Sequence, residues 1–466
     1  MITSRRCREL AAAIALLALF PGCQRVPSRP PPAPGPLPGS FHGALAGIGD
    51  SAAVVGPKWW EAFGDPVLNR LVERALTANY DLQEADARLH EARALSLEND
   101  AGRGPSVAAI AEYRRQHLPS DLKNDAAMVD QFFVTGFDAT WEADLFGRVR
   151  SLGAAAHASA EAQAAARGEL AVTLAAEVAR TYFECCAHQR QLALQKRVIE
   201  LRGTALDLTR RRAALGTANA ADVAAQREIN RRRADLTDLQ AMVSHSIQRL
   251  SVLTNQPADA LAPMLAAAVV STGEPAAPLV QSPAEVLRHR PDVRRAELEL
   301  VASSAVEDAA QADLLPRLTF NGQLSFYAFG WGVGPHLSWD LFDRRRVKAR
   351  EAQAGARADA AFARYRAAVL GAVADVENAL VDLEAAKVRR DFLATGVEES
   401  ARGTAGARHR TELGVANRME ILVAEQARAE QEAALAAQES VVRQGWVALF
   451  KALGGGWDSQ AVAGPQ

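Results

Sequence analysis

Two stretches of this sequence carry the same pattern in the same order. Leu76-Thr77-Ala78-Asn79-Tyr80-Asp81-Leu82 opens a run of alternating charged and Ala/Leu residues that stops at Gly104-Pro105. Leu287-Arg288-His289-Arg290-Pro291-Asp292-Val293 opens a second run that stops at Leu315-Pro316. Tyr80 and Pro291 stand 211 positions apart, as do Pro105 and Pro316. Each copy then shows an aromatic–acid signature, Trp141-Glu142-Ala143-Asp144-Leu145-Phe146-Gly147-Arg148 or Trp339-Asp340-Leu341-Phe342-Asp343-Arg344. A long helical run follows and ends at Leu215-Gly216-Thr217-Ala218-Asn219 or Leu413-Gly414-Val415-Ala416-Asn417, 198 positions apart. Similarity at a fixed long period marks a duplicated architectural unit, so the fold must be built from two comparable halves.

Each half has its own periodicity. From Asp65-Pro66 to about Asp100, Leu68, Leu71, Val72 and Ala75, then Leu82, Ala85, Leu89 and Ala92, recur at helical spacing. Gly102-Arg103-Gly104-Pro105 stops that helix. Two strand-like stretches come next: residues 107–116 and 133–141 in copy one, 318–327 and 332–339 in copy two. Phe133, Thr135, Phe137, Ala139 and Trp141 fall on one face of their stretch, while Leu318, Phe320, Gly322 and Leu324 alternate with Thr319, Asn321, Gln323 and Ser325. Strands of ~10 residues with this alternation suit a membrane barrel, although a soluble sandwich uses the same pattern. Copy one carries a polar insertion at 118–130 between its strands, whereas copy two turns quickly at Phe329-Gly330-Trp331-Gly332. Residues 148–214 and 344–412 contain no proline, and a continuous helix of that size is about 100 Å long. The Ala-rich spacing of Leu170, Val172, Ala175, Val178, Ala179 and Tyr182 fits coiled packing. Gly216 and Gly414 break the pattern, and returning helices are expected over 222–253 and 418–453.

Composition narrows the functional classes. A net charge of −2 argues against a generic nucleic-acid binder. No window approaches the ~20 apolar residues of a spanning helix, so a membrane-crossing form of this chain needs closed strands. Arg5, Arg6 and Arg8 precede a short apolar core ending in Phe20-Pro21-Gly22-Cys23, the form of an export signal. A small residue directly before Cys23 resembles a bacterial lipoprotein signal, in which Cys23 becomes the acylated first residue; an ordinary cleaved signal is the alternative. Gln24, in place of Asp, then implies sorting to the outer membrane. Residues 26–38 are dense in proline and predict an extended tether. The expected organisation is signal 1–22, tether 23–56, first repeat 57–257, linker 258–285, second repeat 286–457 and tail 458–466. Cys185 and Cys186 read as two small buried residues on a helix. There is no Gly-x-Ser-x-Gly, phosphate loop or His/Cys cluster at metal spacing, and no strand leads into Gly454-Gly455-Gly456. Neither catalysis nor a metal or cofactor is expected.

Trp59-Trp60-Glu61-Ala62-Phe63-Gly64-Asp65-Pro66, the paired Trp141 and Trp339 signatures, the Gly216 and Gly414 reversals and the closing Leu449-Phe450-Lys451-Ala452-Leu453-Gly454-Gly455-Gly456-Trp457 carry a family likeness. With them the chain resembles the TolC-like outer-membrane efflux proteins, nearest the lipoprotein branch that includes OprM and NodT-type factors. The resemblance implies a mainly α fold with a transmembrane β-barrel. Three chains would each give four strands to one twelve-stranded barrel, and helices to a long periplasmic tunnel. It also implies a homotrimer in the outer membrane, a periplasmic adaptor and an inner-membrane transporter of the resistance–nodulation–division type. Leu215, Gly216, Thr217, Leu413, Gly414 and Val415 would form the adaptor-docking tip. Asp222 and Glu420 become candidates for an acidic constriction, with Arg418 contributing positive charge or an interchain pair; the other reading is plain solvated helix starts. Arg210-Arg211-Arg212 and Arg231-Arg232-Arg233 read as solvated faces. The expected function is the exit duct of a tripartite efflux pump. A type I secretion duct and a non-spanning periplasmic scaffold stay open on sequence alone.

Overall fold

The computed structural model describes residues 41, 56–118, 128–214, 222–268, 274–275, 282–326 and 329–457. A short 3-10 turn at Trp59–Phe63 leads into α1 (Pro66–Ala78), α2 (Tyr80–Ala101), β1 (Ser106–Leu118), β2 (Met128–Ala143), α3 (Arg148–Ala214) and α4 (Asp222–Thr254). There follow α5 (Ala258–Ala266), α6 (Pro283–His289), α7 (Pro291–Ala312), β3 (Arg317–Ser325), β4 (Gly330–Ser338), α8 (Arg344–Glu412) and α9 (Arg418–Ala452). The described residues fall into two compact units. One holds Arg88–Gln163 and Arg295–Ala367, the other Gly35–Ala87, Ala164–Arg294 and Ala368–Gln466. Each unit takes segments from both sequence copies.

The first unit carries a four-stranded antiparallel sheet in the order β1-β2-β3-β4. Its first hairpin is longer than the alternation predicts, because the ladder continues until Leu118 opposes Met128. The central β2–β3 pairing requires a glycine: a Cβ on Gly136 would lie 1.9 Å from the Leu324 carbonyl oxygen. Between the hairpins and the reversals, α3 and α8 run unbroken for 67 and 69 residues, as the proline-free stretches predict.

The helix expected over 65–100 is two helices. Asn79 adopts extended backbone, φ −71° and ψ 134°, because its side chain makes a better cap than a helical interior. Its Oδ1 accepts from the Asp81 and Leu82 amides at 2.9 and 3.2 Å, and its Nδ2 donates to the Leu253 carbonyl at 3.2 Å. Copy two breaks at the equivalent position, Arg290, also extended at φ −81° and ψ 123°. Here the following Pro291 excludes the helical conformation. Arg290 is buried and its guanidinium uses every donor direction. Nε and Nη2 hold Asp292 at 3.0 and 2.7 Å, Nη2 reaches Asp375 at 2.8 Å, and Nη1 donates to the carbonyls of Ala452 (2.8 Å) and Ala372 (3.4 Å). Burial pushes the Asp292 carboxyl up, but the Arg290 hydrogen bonds and charge outweigh it and hold the group below its ordinary value.

The core of the second unit joins the opening and closing sequence motifs. Trp59 stacks on Phe450 at 5.3 Å, and Phe63 packs on Phe183 at 5.0 Å. Leu68, Leu71, Val72, Leu250, Leu261, Leu265, Trp446 and Leu449 complete it, each worth about 1.5–3 kcal/mol on burial. Asp65 caps α1 by accepting from the Val67 and Leu68 amides, and takes a 2.6 Å hydrogen bond from the buried Tyr182 hydroxyl. Cys185 is buried and Cys186 half-buried, both unpaired. Burial pushes their thiols up to about 11 and about 12, so they stay protonated and inert.

Candidate channel-forming face and helix-hairpin tip

The strand register sorts the side chains of the sheet into two faces. Cross-strand partners lie on one side, so Val107, Ala109, Ala111 and Tyr113 of β1 share a face with Phe133, Thr135, Phe137, Ala139 and Trp141 of β2. The same face continues through Leu318, Phe320, Gly322 and Leu324 of β3 to Trp331, Val333, Pro335 and Leu337 of β4. Thr135 and the Tyr113 hydroxyl are the polar groups among these, and one step beyond Tyr113 the same face carries the exposed Arg115. The opposite face presents Glu112, Asp138, Thr140, Glu142, Thr319, Asn321, Gln323, Ser325 and His336. Val107, Tyr113, Phe133, Trp331, Val333 and Leu337 are exposed. A largely apolar four-strand face left uncovered by the described residues, backed by a polar one, has the pattern of a pore wall that faces lipid on one side and water on the other. β1 and β4 are its free edges.

Both strand-to-helix junctions use one device. The Trp141 indole donates to the Arg103 carbonyl at 2.9 Å, and the Trp339 indole to the Leu314 carbonyl at 3.1 Å. The two acceptors are themselves 211 positions apart, so the duplicated tryptophan ties each hairpin to the helix end before it. Trp141 also stacks on Phe320 at 5.7 Å. After β2, Arg148 pairs with Glu142 at 2.5 Å and Arg150 with Asp144 at 3.1 Å.

At the far end of the second helical hairpin, α8 closes with Gly414 at φ +73°. The Gly414 amide donates to Thr411 O and the Val415 amide to Arg410 O, both at 3.0 Å, the αL ending that glycine makes accessible. Leu413 and Val415 flank it and are exposed. Arg418 is also exposed. Asn417 caps α9 through the Met419 amide at 2.9 Å, and Glu420 pairs with Arg410 across the turn at 3.2 Å. Asn417 and Glu420 thus each make a contact within the local turn. Leu215, Gly216, Thr217 and Cys23 lie outside the described residues, as does the side chain of Asp222.

Sequence reasoning missed an ion-pair network that ties the first helical pair to the second. Glu430 of α9 accepts from Arg202 of α3 (3.3 Å) and Arg232 of α4 (2.9 Å), and Glu228 of α4 accepts from the same two arginines at 3.5 and 2.9 Å. Glu425 of α9 forms ion pairs with Arg197 of α3 (3.6 Å) and Arg408 of α8 (2.6 Å). Arg232 is therefore half-buried and engaged, where its triplet predicted a solvated face. Helical spacing alone identifies an ion pair within one helix but not the partner on another. Among the described residues no group of three His, Cys, Asp or Glu could hold a metal ion, and no helix is long and apolar enough to cross a membrane.

A sheet with a lipid-type face and open edges, carried by helices of about 100 Å, defines an outer-membrane channel with a helical extension. The chain belongs to the outer membrane efflux protein family, whose model matches residues 71–256 and 283–455. It is 29% identical to the pyoverdine export outer membrane protein OpmQ of Pseudomonas aeruginosa, over 86% of this chain and 88% of that one. It is 28% identical to the toluene efflux pump outer membrane protein TtgC of Pseudomonas putida, over 97% and 96%. The solved structure of the outer-membrane channel OprN superposes with a TM-score of 0.82 and 30% identity, covering 92% of this chain and 99% of that one. The TolC-like fold and the efflux-channel role expected from the sequence are those of this family, with the barrel and a periplasmic extension in the Gram-negative outer membrane.

Proposed function

We propose that three copies of this chain form the passive exit duct of a tripartite efflux pump for small molecules. The observation that carries the proposal is the uncovered apolar face of a sheet whose two edges are open. Four strands cannot close a barrel, and unpaired backbone in lipid costs several kcal/mol per group. Three sheets joined edge to edge leave no free edge and give twelve strands, enough for a water-filled lumen. The helices then line the route from the periplasm. An adaptor protein docks at the tips Leu215-Gly216-Thr217 and Leu413-Gly414-Val415; at the second, the exposed Leu413 and Val415 flank a glycine turn. An inner-membrane transporter of the resistance–nodulation–division type supplies the energy; the duct itself does no chemistry and needs no cofactor. Cys23 carries the N-acyl diglyceride that anchors the tether in the outer membrane. Opening is an iris-like shift of the helical pairs. The names of OpmQ and TtgC support small molecules over proteins as cargo.

The test is conductance. Purified protein reconstituted in planar bilayers is expected to give discrete single-channel steps as a trimer. A stable, fully β-structured monomer, or a trimer without conductance, defeats the duct reading and leaves a periplasmic scaffold.

A further inference from the structure

The two copies treat the start of their long helix differently. In copy one, Arg148 and Arg150 face Glu142 and Asp144, two cations against two carboxylates, and both pairs are formed. In copy two, residues 340–350 hold five cations, Arg344, Arg345, Arg346, Lys348 and Arg350, against Asp340 and Asp343. Arg346 pairs with Asp343 at 2.5 Å. Arg344, Arg345, Lys348 and Arg350 are exposed and have no ion-pair partner among the described residues. No acid lies in the first turn of α8. Cations at a helix N-terminus oppose the positive end of the macrodipole, so this arrangement is unfavourable for the chain by itself. Directly before it stand Leu341, half exposed, and Phe342, whose exposure is 106%.

We propose that this patch binds the headgroups of anionic phospholipid in the leaflet facing the helices. The inference rests on the sheet spanning the membrane. Arg344 follows the last residue of β4 by six positions, which places it within ~20 Å of the strand end even in extended chain. The patch is therefore continuous with the apolar face of the barrel and sits at headgroup depth. Phe342 and Leu341 enter the acyl boundary, as interfacial aromatics do, and the long cationic side chains reach phosphate oxygens. A basic residue at an anionic surface adds about fivefold in association, so four unpaired cations give a strong preference for negatively charged lipid. Copy one, neutral and without a fully exposed phenylalanine, lacks that preference.

Hydrogen exchange on the full chain in nanodiscs tests this. Residues 341–350 are expected to gain protection as phosphatidylglycerol replaces phosphatidylcholine, while residues 145–150 do not change. R344Q/R345Q/K348Q/R350Q is expected to lose at least tenfold of the phosphatidylglycerol response, and the charge-matched control R227Q/R231Q/R233Q/R211Q to keep it. Equal protection in the two lipids, an equal response in both copies, or full protection of 341–350 in the detergent-solubilised trimer (cover by a second copy) each overturns the proposal. Failure of the chain to enter nanodiscs would instead overturn the membrane-spanning reading.

Discussion

Removing the carboxylates that tie α9 to the first helical pair is expected to favour the open duct. Glu430 accepts from two arginines on two other helices, Arg202 and Arg232. Glu425 pairs with Arg197 of the first helical pair at 3.6 Å and with Arg408 of its own pair at 2.6 Å, and only the former opposes a shift between the pairs. An iris-like shift of one helical pair against the other must break these contacts, so they weigh on the closed side of the equilibrium. The glutamate side chains are 37% and 18% exposed, and partly exposed pairs contribute about 0.2–1 kcal/mol each. Glu430→Gln thus removes roughly 1 kcal/mol, about a fivefold gain in the open-to-closed ratio. Of the Glu425 contacts only the one to Arg197 crosses between the pairs, so E425Q/E430Q removes about 1.5 kcal/mol and gives a gain of roughly tenfold if the sites add. Open probability in planar bilayers measures this directly. The wild-type difference should also shrink at high salt, which screens such pairs. A double variant that assembles normally and opens no more often than wild type refutes the latch.

Arg290→Ala leaves Asp292 and two buried carbonyls without their donor and is expected to cost about 3–5 kcal/mol, read as a lower thermal midpoint by circular dichroism; an unchanged midpoint would show that the guanidinium is not structural. Asp292 has a folded value held below its ordinary 3.8. Its contribution is complete above that value and is lost as pH falls through the lower folded one, so acid unfolding of wild type should steepen below about pH 4 and Asp292→Asn should flatten that limb. Asp65→Ala deletes a helix cap and the partner of the Tyr182 hydroxyl, for an expected loss of about 1–3 kcal/mol in denaturant titration. Cys23→Ser is expected to abolish labelling by radioactive fatty acid; persistent labelling would move the anchor elsewhere.

What the sequence by itself determines here is everything with a short period or a repeated word. Alternation over a few residues marks β2 and β3, the absence of proline over 148–214 and 344–412 permits helices of 67 and 69 residues, and Gly414 signals its own left-handed turn. Each depends on φ, ψ and side-chain spacing along one stretch of chain. The break at Asn79 is different: its signal is present in the sequence as a capping residue, but the helical spacing on either side conceals it until Leu253 supplies the second hydrogen bond. Only the tertiary structure decides which residues oppose one another. The largely apolar face of the sheet exists because three separate registers align, and a slip of one residue in any of them would mix the faces. The engagement of Arg232, the burial of Arg290 and the unpaired state of Arg344 and Arg345 are likewise set by residues on other elements. Local geometry is encoded in neighbours a few positions apart, whereas pairing depends on which distant groups folding brings within a few ångströms.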